Sequence, residues 1–144
     1  MKGRLEKMNN PSVICVAMKK LLEEQELIAK FGHGLQYVCS FPLYDTIPFT
    51  LHDCELHKPF SAHYQCIKTP YFRLEKLDMD TCCATLTLLE PVDVEGYPVD
   101  SCEDLYSLRT TKSCIIVNIS CFCTITPLSP KLVDKKLPTI EPKK

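Results

Sequence analysis

Past residue 34 the chain is built of short runs rich in Val, Ile, Thr, Tyr and Phe, separated by Pro, Asp and Gly. No other feature constrains the fold as strongly. β-Branched and aromatic side chains suit a pleated, half-buried surface, and the punctuating residues suit turns. The runs predict strands over Thr46–His52, Phe60–Cys66, Tyr71–Leu77, Cys83–Glu90, Asp104–Arg109, Ser113–Ile119 and Phe122–Thr126, with Asp78–Thr81 as a hairpin loop. Seven or eight short strands with regular turns imply a mainly β fold, an antiparallel sandwich or barrel.

One helix precedes them. Ile14, Met18, Leu21 and Ile28 recur near helical spacing, with Lys19, Lys20, Glu23 and Glu24 between them. Asn10 offers an N-cap, Pro11 suits the first helical position, and Gly32 and Gly34 form the stop. The chain therefore divides into a flexible arm (1–10), an N-terminal helix (11–32), a cysteine-rich β domain (33–133) and a flexible, locally basic tail (134–144). At 144 residues a single domain buries roughly two-thirds of the surface its unfolded chain exposes, so disulfides are not needed merely to hold a core.

Ten cysteines nevertheless occur. The polar stretch Met1–Asn10 has no signal-peptide character, so thiols that suit an oxidising setting sit on a chain with no secretory address. Synthesis in a reducing cytosol followed by later exposure to oxidant resolves that conflict. Strand parity assigns the faces. Ala84, Leu86 and Leu88 share one face, which places Cys82 inward and Cys83 outward. Ile115, Val117 and Ile119 point inward, so Cys114 points out, while Cys121 and Cys123 continue the inward parity if no bulge intervenes. Cys66 is in phase with Phe60, Ala62 and Tyr64 and is expected to be buried. Cys39, Cys54 and Cys102 fall in loops, and Cys15 lies near the edge of the helix's apolar face. The expected exposed thiols are thus Cys39, Cys54, Cys83, Cys102 and Cys114. Adjacent cysteines on one strand are poor partners for each other, which favours cross-strand or intermolecular bridges.

Several function classes are disfavoured. A net charge of −1 leaves no electrostatic footprint for nucleic acid or an anionic membrane, and the longest apolar run, around Ile115–Ile119, is far too short to span a bilayer. Zinc is served by C-x2–4-C pairs, whereas this chain has only C-C and C-x-C, and the spacings His52-x4-His57 and His57-x5-His63 lie in a loop-strand region with no C-x2-C nearby. No G-x-S-x-G, P-loop or dinucleotide fingerprint occurs, and four glycines leave little for phosphate-cradling loops. The acidic cluster Glu90, Asp93 and Glu95 reads as a solvated turn. No catalytic residue, metal ligand or cofactor is expected. A zinc-binding module or a monomeric disulfide-stapled interaction module stands as the alternative to a self-associating protein.

Two segments sharpen this reading. Thr69–Leu89, TPYFRLEKLDMDTCCATLTLL, and Ser113–Val133, SCIIVNISCFCTITPLSPKLV, resemble the CotY/CotZ family of spore coat proteins, which extends to the exosporium. The likeness runs from Asp45 to Val133 and rests on FRLE, a cysteine before ATL, and C-x6-C-F-C. It implies a structural protein of the outer coat, crust or exosporium that forms a two-dimensional lattice of its own copies with other coat proteins. Intermolecular disulfides would seal that lattice, and synthesis would take place in the mother-cell cytoplasm without export. By motif, Cys82 or Cys83, Cys114, Cys121 and Cys123 carry over, with Cys102 in the region before Cys114. Together with the loop thiols, the crosslinking candidates are Cys39, Cys54, Cys82, Cys83, Cys102, Cys114, Cys121 and Cys123. Only Cys15 and Cys39 precede residue 50, fewer than the resemblance leads one to expect. Exposed strand edges and Tyr44, Phe49, Tyr71 and Tyr97 are candidate noncovalent contacts that would form before oxidation locks them.

Overall fold

The computed structural model of the chain describes residues 12–34, 44–55 and 58–138. The predicted arm 1–10, Cys39 and the end of the predicted tail, 139–144, lie outside the described residues. In chain order the elements are α1 (Val13–Gly34), β1 (Phe49–Asp53), β2 (Ala62–Tyr64), β3 (Ile67–Thr69), β4 (Tyr71–Asp78), β5 (Cys83–Val92), β6 (Ser107–Asn118) and β7 (Phe122–Pro127). Single 3-10 turns follow β6 (Ile119–Cys121) and β7 (Pro130–Leu132).

The fold is mainly antiparallel β with one N-terminal helix, as the residue patterning implied. Five strands form one sheet in the order β6-β5-β4-β1-β7, and β2 and β3 pair as a separate hairpin. The large second layer is α1, which packs against β4, β7 and the 3-10 turn after β6. Parity explains the core. Ala84, Leu86 and Leu88 of β5 are fully buried beside Phe72 and Leu74 of β4 and Phe49 and Leu51 of β1, and Cys15, Met18 and Leu21 of α1 cover them. Ile115 and Val117 of β6 pack against the same cluster. Phe49 is therefore core, not a candidate contact between subunits, whereas Tyr97 is 65% exposed.

The expected cap Asn10 and first helical residue Pro11 lie outside the described residues. Ser12 precedes Val13 and caps the first described turn: its carbonyl accepts the Val16 N–H at 3.1 Å and its hydroxyl accepts the Cys15 N–H at 3.2 Å. Gly34 lies inside the last turn of α1 instead of beyond it. Gln25, buried on the helix's inner face, fastens α1 to the sheet. Its Nε2 donates to the Leu74 carbonyl at 2.8 Å and its Oε1 accepts the Ile47 N–H at 3.0 Å.

Two predicted strands, Asp104–Arg109 and Ser113–Ile119, are one continuous β6. Thr110–Lys112, left between the two predicted strands, passes through a bulge opposite Leu88. There the Thr111 hydroxyl donates to the Leu88 carbonyl at 2.7 Å and replaces the missing ladder bond. The predicted tail is fastened through its first residues. Asp134 accepts bonds from the Thr110 N–H at 2.9 Å and the Thr110 hydroxyl at 2.7 Å, and the Lys135 ammonium lies 4.1 Å above the Tyr106 ring. This segment covers the start of the β6 edge. The remainder of that edge, Lys112–Asn118, pairs with β5 alone among the described residues.

Candidate crosslinking surface

β5 and β6 place two thiols on the face of the sheet opposite α1. The register pairs Cys83 with Asn118, Thr85 with Ile116 and Thr87 with Cys114, so Cys83 and Cys114 point the same way. Cys114 and Asn118 are four residues apart along β6, roughly 13 Å at strand rise. Cys114 and Cys83 are therefore too far apart to bond each other. Between them stands Ile116, 75% exposed. Cys83 is half-buried and Cys114 exposed. A polar chain positions the second thiol. Cys114 Sγ lies 3.6 Å from the Thr87 hydroxyl, which donates to Glu75 at 2.8 Å, and Glu75 pairs with Arg73 at 3.0 Å.

The other exposed thiols sit elsewhere on the molecule. Cys102 lies in the connection between β5 and β6. It neighbours Tyr71, whose phenol is raised above its ordinary pKa chiefly by burial and secondarily by the Cys102 charge. Cys121 ends the 3-10 turn after β6 and is exposed. Its predicted inward direction fails because Asn118 caps that turn, its side chain accepting the Ser120 N–H at 3.0 Å, and the alternation of an extended strand stops there. Cys66 is also exposed, not buried. It lies with Gln65 (φ 54°) in the tight turn joining β2 to β3, so the parity carried from Phe60 does not reach it. Sequence reasoning omitted Cys66 from the crosslinking candidates, because the Gln65-Cys66 pair between Tyr64 and Ile67 contains none of the usual turn residues.

Cys54 and Cys123, both expected to seek partners, are joined to each other within the chain. Their Cα atoms are 5.1 Å apart, inside the usual range for a disulfide. The register of β1 on β7 shifts between His52 and Asp53, whose partners are Thr124 and Phe122. That bulge leaves Cys123 without a ladder partner and turns it toward Cys54, which overturns its predicted inward direction. Cys82 is inward, at 9% exposure, in a left-handed conformation (φ 57°) in the turn between β4 and β5. Cys15 is fully buried in the centre of the core, not at the edge of the helix's apolar face. Burial, then the neighbouring Cys82 thiol, pushes its pKa up to about 12.

Among the described residues no three His, Cys, Asp or Glu side chains are grouped to hold a metal ion, and no helix is long and apolar enough to cross a membrane.

Residues 31–130 match the family model described as Spore coat protein Z. The chain is also 30% identical over 116 residues to Spore coat protein Z of Bacillus subtilis (strain 168), a similarity covering 72% of this chain and 76% of that protein. No solved structure matches the chain. Of the ten cysteines, only Cys15 lies outside the matched residues 31–130.

Proposed function

Because this chain belongs to the Spore coat protein Z family, and so has a structural place in the spore coat, we propose that its copies assemble into a two-dimensional lattice sealed by disulfides between them. One observation carries the reading: Cys66, Cys102, Cys114 and Cys121 are exposed, free and spread over four segments, namely the β2–β3 turn, the β5–β6 connection, β6 and the 3-10 turn after it. A single reactive patch could only join two copies. A sheet needs each subunit to reach several neighbours, and thiols on separate parts of the surface meet that requirement. Half-buried Cys83 adds a fifth, next to exposed Ile116 and the open part of the β6 edge. Association first occurs through such apolar and edge contacts, and oxidation then makes it irreversible by dilution. Partners are further copies of the chain and other coat proteins. Synthesis in the mother-cell cytoplasm keeps the thiols reduced until assembly, and the finished lattice lies in the coat or the exosporium.

The Cys54–Cys123 bridge favours a second reading, a monomer stapled only within itself. Purified protein oxidised in air separates the two. The lattice reading expects a ladder of species on a gel without reductant, a single band with reductant, and ordered sheets by electron microscopy. Replacing Cys39, Cys66, Cys83, Cys102, Cys114 and Cys121 together by Ser should remove the ladder. A single monomer band in both lanes, with no sheets at high concentration, overturns it.

A further inference from the structure

The first turn of α1 rests on the turn between β4 and β5, and sulfur atoms gather where they meet. Ser12 touches both partners: its hydroxyl accepts the Cys15 N–H at 3.2 Å and lies 3.9 Å from Cys82 Sγ. Cys15 Sγ lies 3.9 Å from Met79 Sδ and close enough to the Cys82 thiol for the two to interact. Cys15 and Cys82 belong to one buried cluster with Met18 and Ile119. Cys82 also occupies a left-handed backbone conformation, where a residue with a Cβ is strained and Gly or Asn is the ordinary choice. A strained non-glycine residue held in place by its surroundings is a reason to look for a role for its side chain. The carbonyl of Cys82 accepts the Ile119 N–H at 2.9 Å, so the turn is held in place from the β6 side as well.

We propose that Cys15 and Cys82 form a second intrachain disulfide that rivets the N-terminal helix to the sheet. The bond is absent from the reduced subunit and forms on oxidation. This goes beyond the lattice reading and does not depend on it, because both sulfurs belong to one molecule and neither is available to a neighbour. The oxidant is a small disulfide such as oxidised glutathione. Cys82, the less buried of the two, loses its proton and attacks one sulfur of that disulfide, releasing one thiolate, which takes up a proton. Cys15 then gives up its proton and displaces the second small thiol from Cys82. The Sγ–Sγ bond of the protein forms, the S–S bond of the oxidant breaks, and the two electrons and two protons end on two small thiols. The high pKa of Cys15 makes the second step the slow one, and it quickens as pH rises.

Cys15 precedes the residues that match the family model, whereas Cys82 lies within them. The rivet thus ties a segment outside the matched residues to the β core within them.

The test uses the full chain carrying Cys83→Ser, so that the two adjacent cysteines cannot be confused. Reduced protein is incubated with oxidised glutathione, remaining thiols are alkylated, and unreduced peptides are identified by mass spectrometry. The expected result is a linked pair joining the peptide with Cys15 to the peptide with Cys82. Cys15 is then lost from alkylation, and amide exchange over the first turns of α1 slows by about tenfold or more relative to reduced protein. A second variant, Cys15→Ala, should show Cys82 free or carrying glutathione, with no such slowing. Cys15 recovered fully alkylated after the Cys54–Cys123 bridge has formed overturns the proposal. So does Cys15 linked to any cysteine other than Cys82. Ladder formation on a gel is unaffected by either result, so failure here and failure of the lattice reading are told apart.

Discussion

Removing the Cys54–Cys123 bridge should cost the subunit about as much stability as a small domain possesses in reserve. The two residues are separated by 69 positions, and the loop-closure estimate for a ring of that size is about 4.4 kcal/mol at 25 °C. A loss of that size multiplies the unfolding equilibrium constant by about a thousand. With a urea slope of about 2 kcal/mol per molar it moves the midpoint down by about 2 M. The measurement is equilibrium urea unfolding under oxidising conditions, in a background with Cys15 replaced by Ala, so that no bond to Cys82 can form, and with Cys39, Cys66, Cys83, Cys102, Cys114 and Cys121 replaced by Ser to keep the protein monomeric. Cys54→Ser, Cys123→Ser and the double variant should share one lowered midpoint. Reductant should bring the parent to that same midpoint and leave the variants unchanged, and none of these midpoints should depend on protein concentration. A double variant that unfolds with the parent, or a loss that varies with concentration, refutes the reasoning. The first would mean that the ring does not form in solution, the second that these sulfurs bridge different molecules.

Gln25→Leu should lower stability by about 2–4 kcal/mol, because it leaves the buried Leu74 carbonyl and the Ile47 N–H without partners; thermal unfolding checks it. Gly96→Ala should cost about 1–2 kcal/mol, since Gly96 has φ +90° and an added Cβ would stand 2.9 Å from Leu137 Cδ1; urea unfolding again reads it. The pKa of Cys15 is raised in the folded state from 9.0 to about 12, so the native state holds a proton that the unfolded chain releases. That contribution is complete below pH 9.0 and is lost as pH rises toward about 12. In reduced protein, Cys15→Ala should flatten the decline in stability over that interval, as followed by circular dichroism.

The core of the sheet was legible because period-two alternation is a local property. Ala84, Leu86 and Leu88 alternate with threonines, and all three are fully buried. Ile115 and Val117 turn inward while Cys114 and Ile116 turn out, as their spacing implied. Parity failed wherever the backbone left the extended state for a residue or two. The 3-10 turn after β6 redirected Cys121, the β1–β7 bulge redirected Cys123, and the β2–β3 turn exposed Cys66. None of these interruptions carries a glycine or proline at the decisive residue. The pairing of Cys54 with Cys123 was not legible for a different reason. It depends on the first strand of the sheet lying beside the last, a fact of topology that neither residue's neighbours encode.

That arrangement sets a clock on the nascent chain. β1 meets β4 at a single register pair but runs beside β7 for its whole length, from Phe49 opposite Pro127 to Asp53 opposite Phe122. At ordinary ribosome speeds the 69 residues from Asp53 to Phe122 take about 3–14 s to synthesise, and for that interval the first strand waits without its main neighbour. Neither the sheet nor its staple can close until β7 and Cys123 have been synthesised. A nascent polypeptide that still lacks β7 therefore has no closed sheet to offer a neighbouring copy.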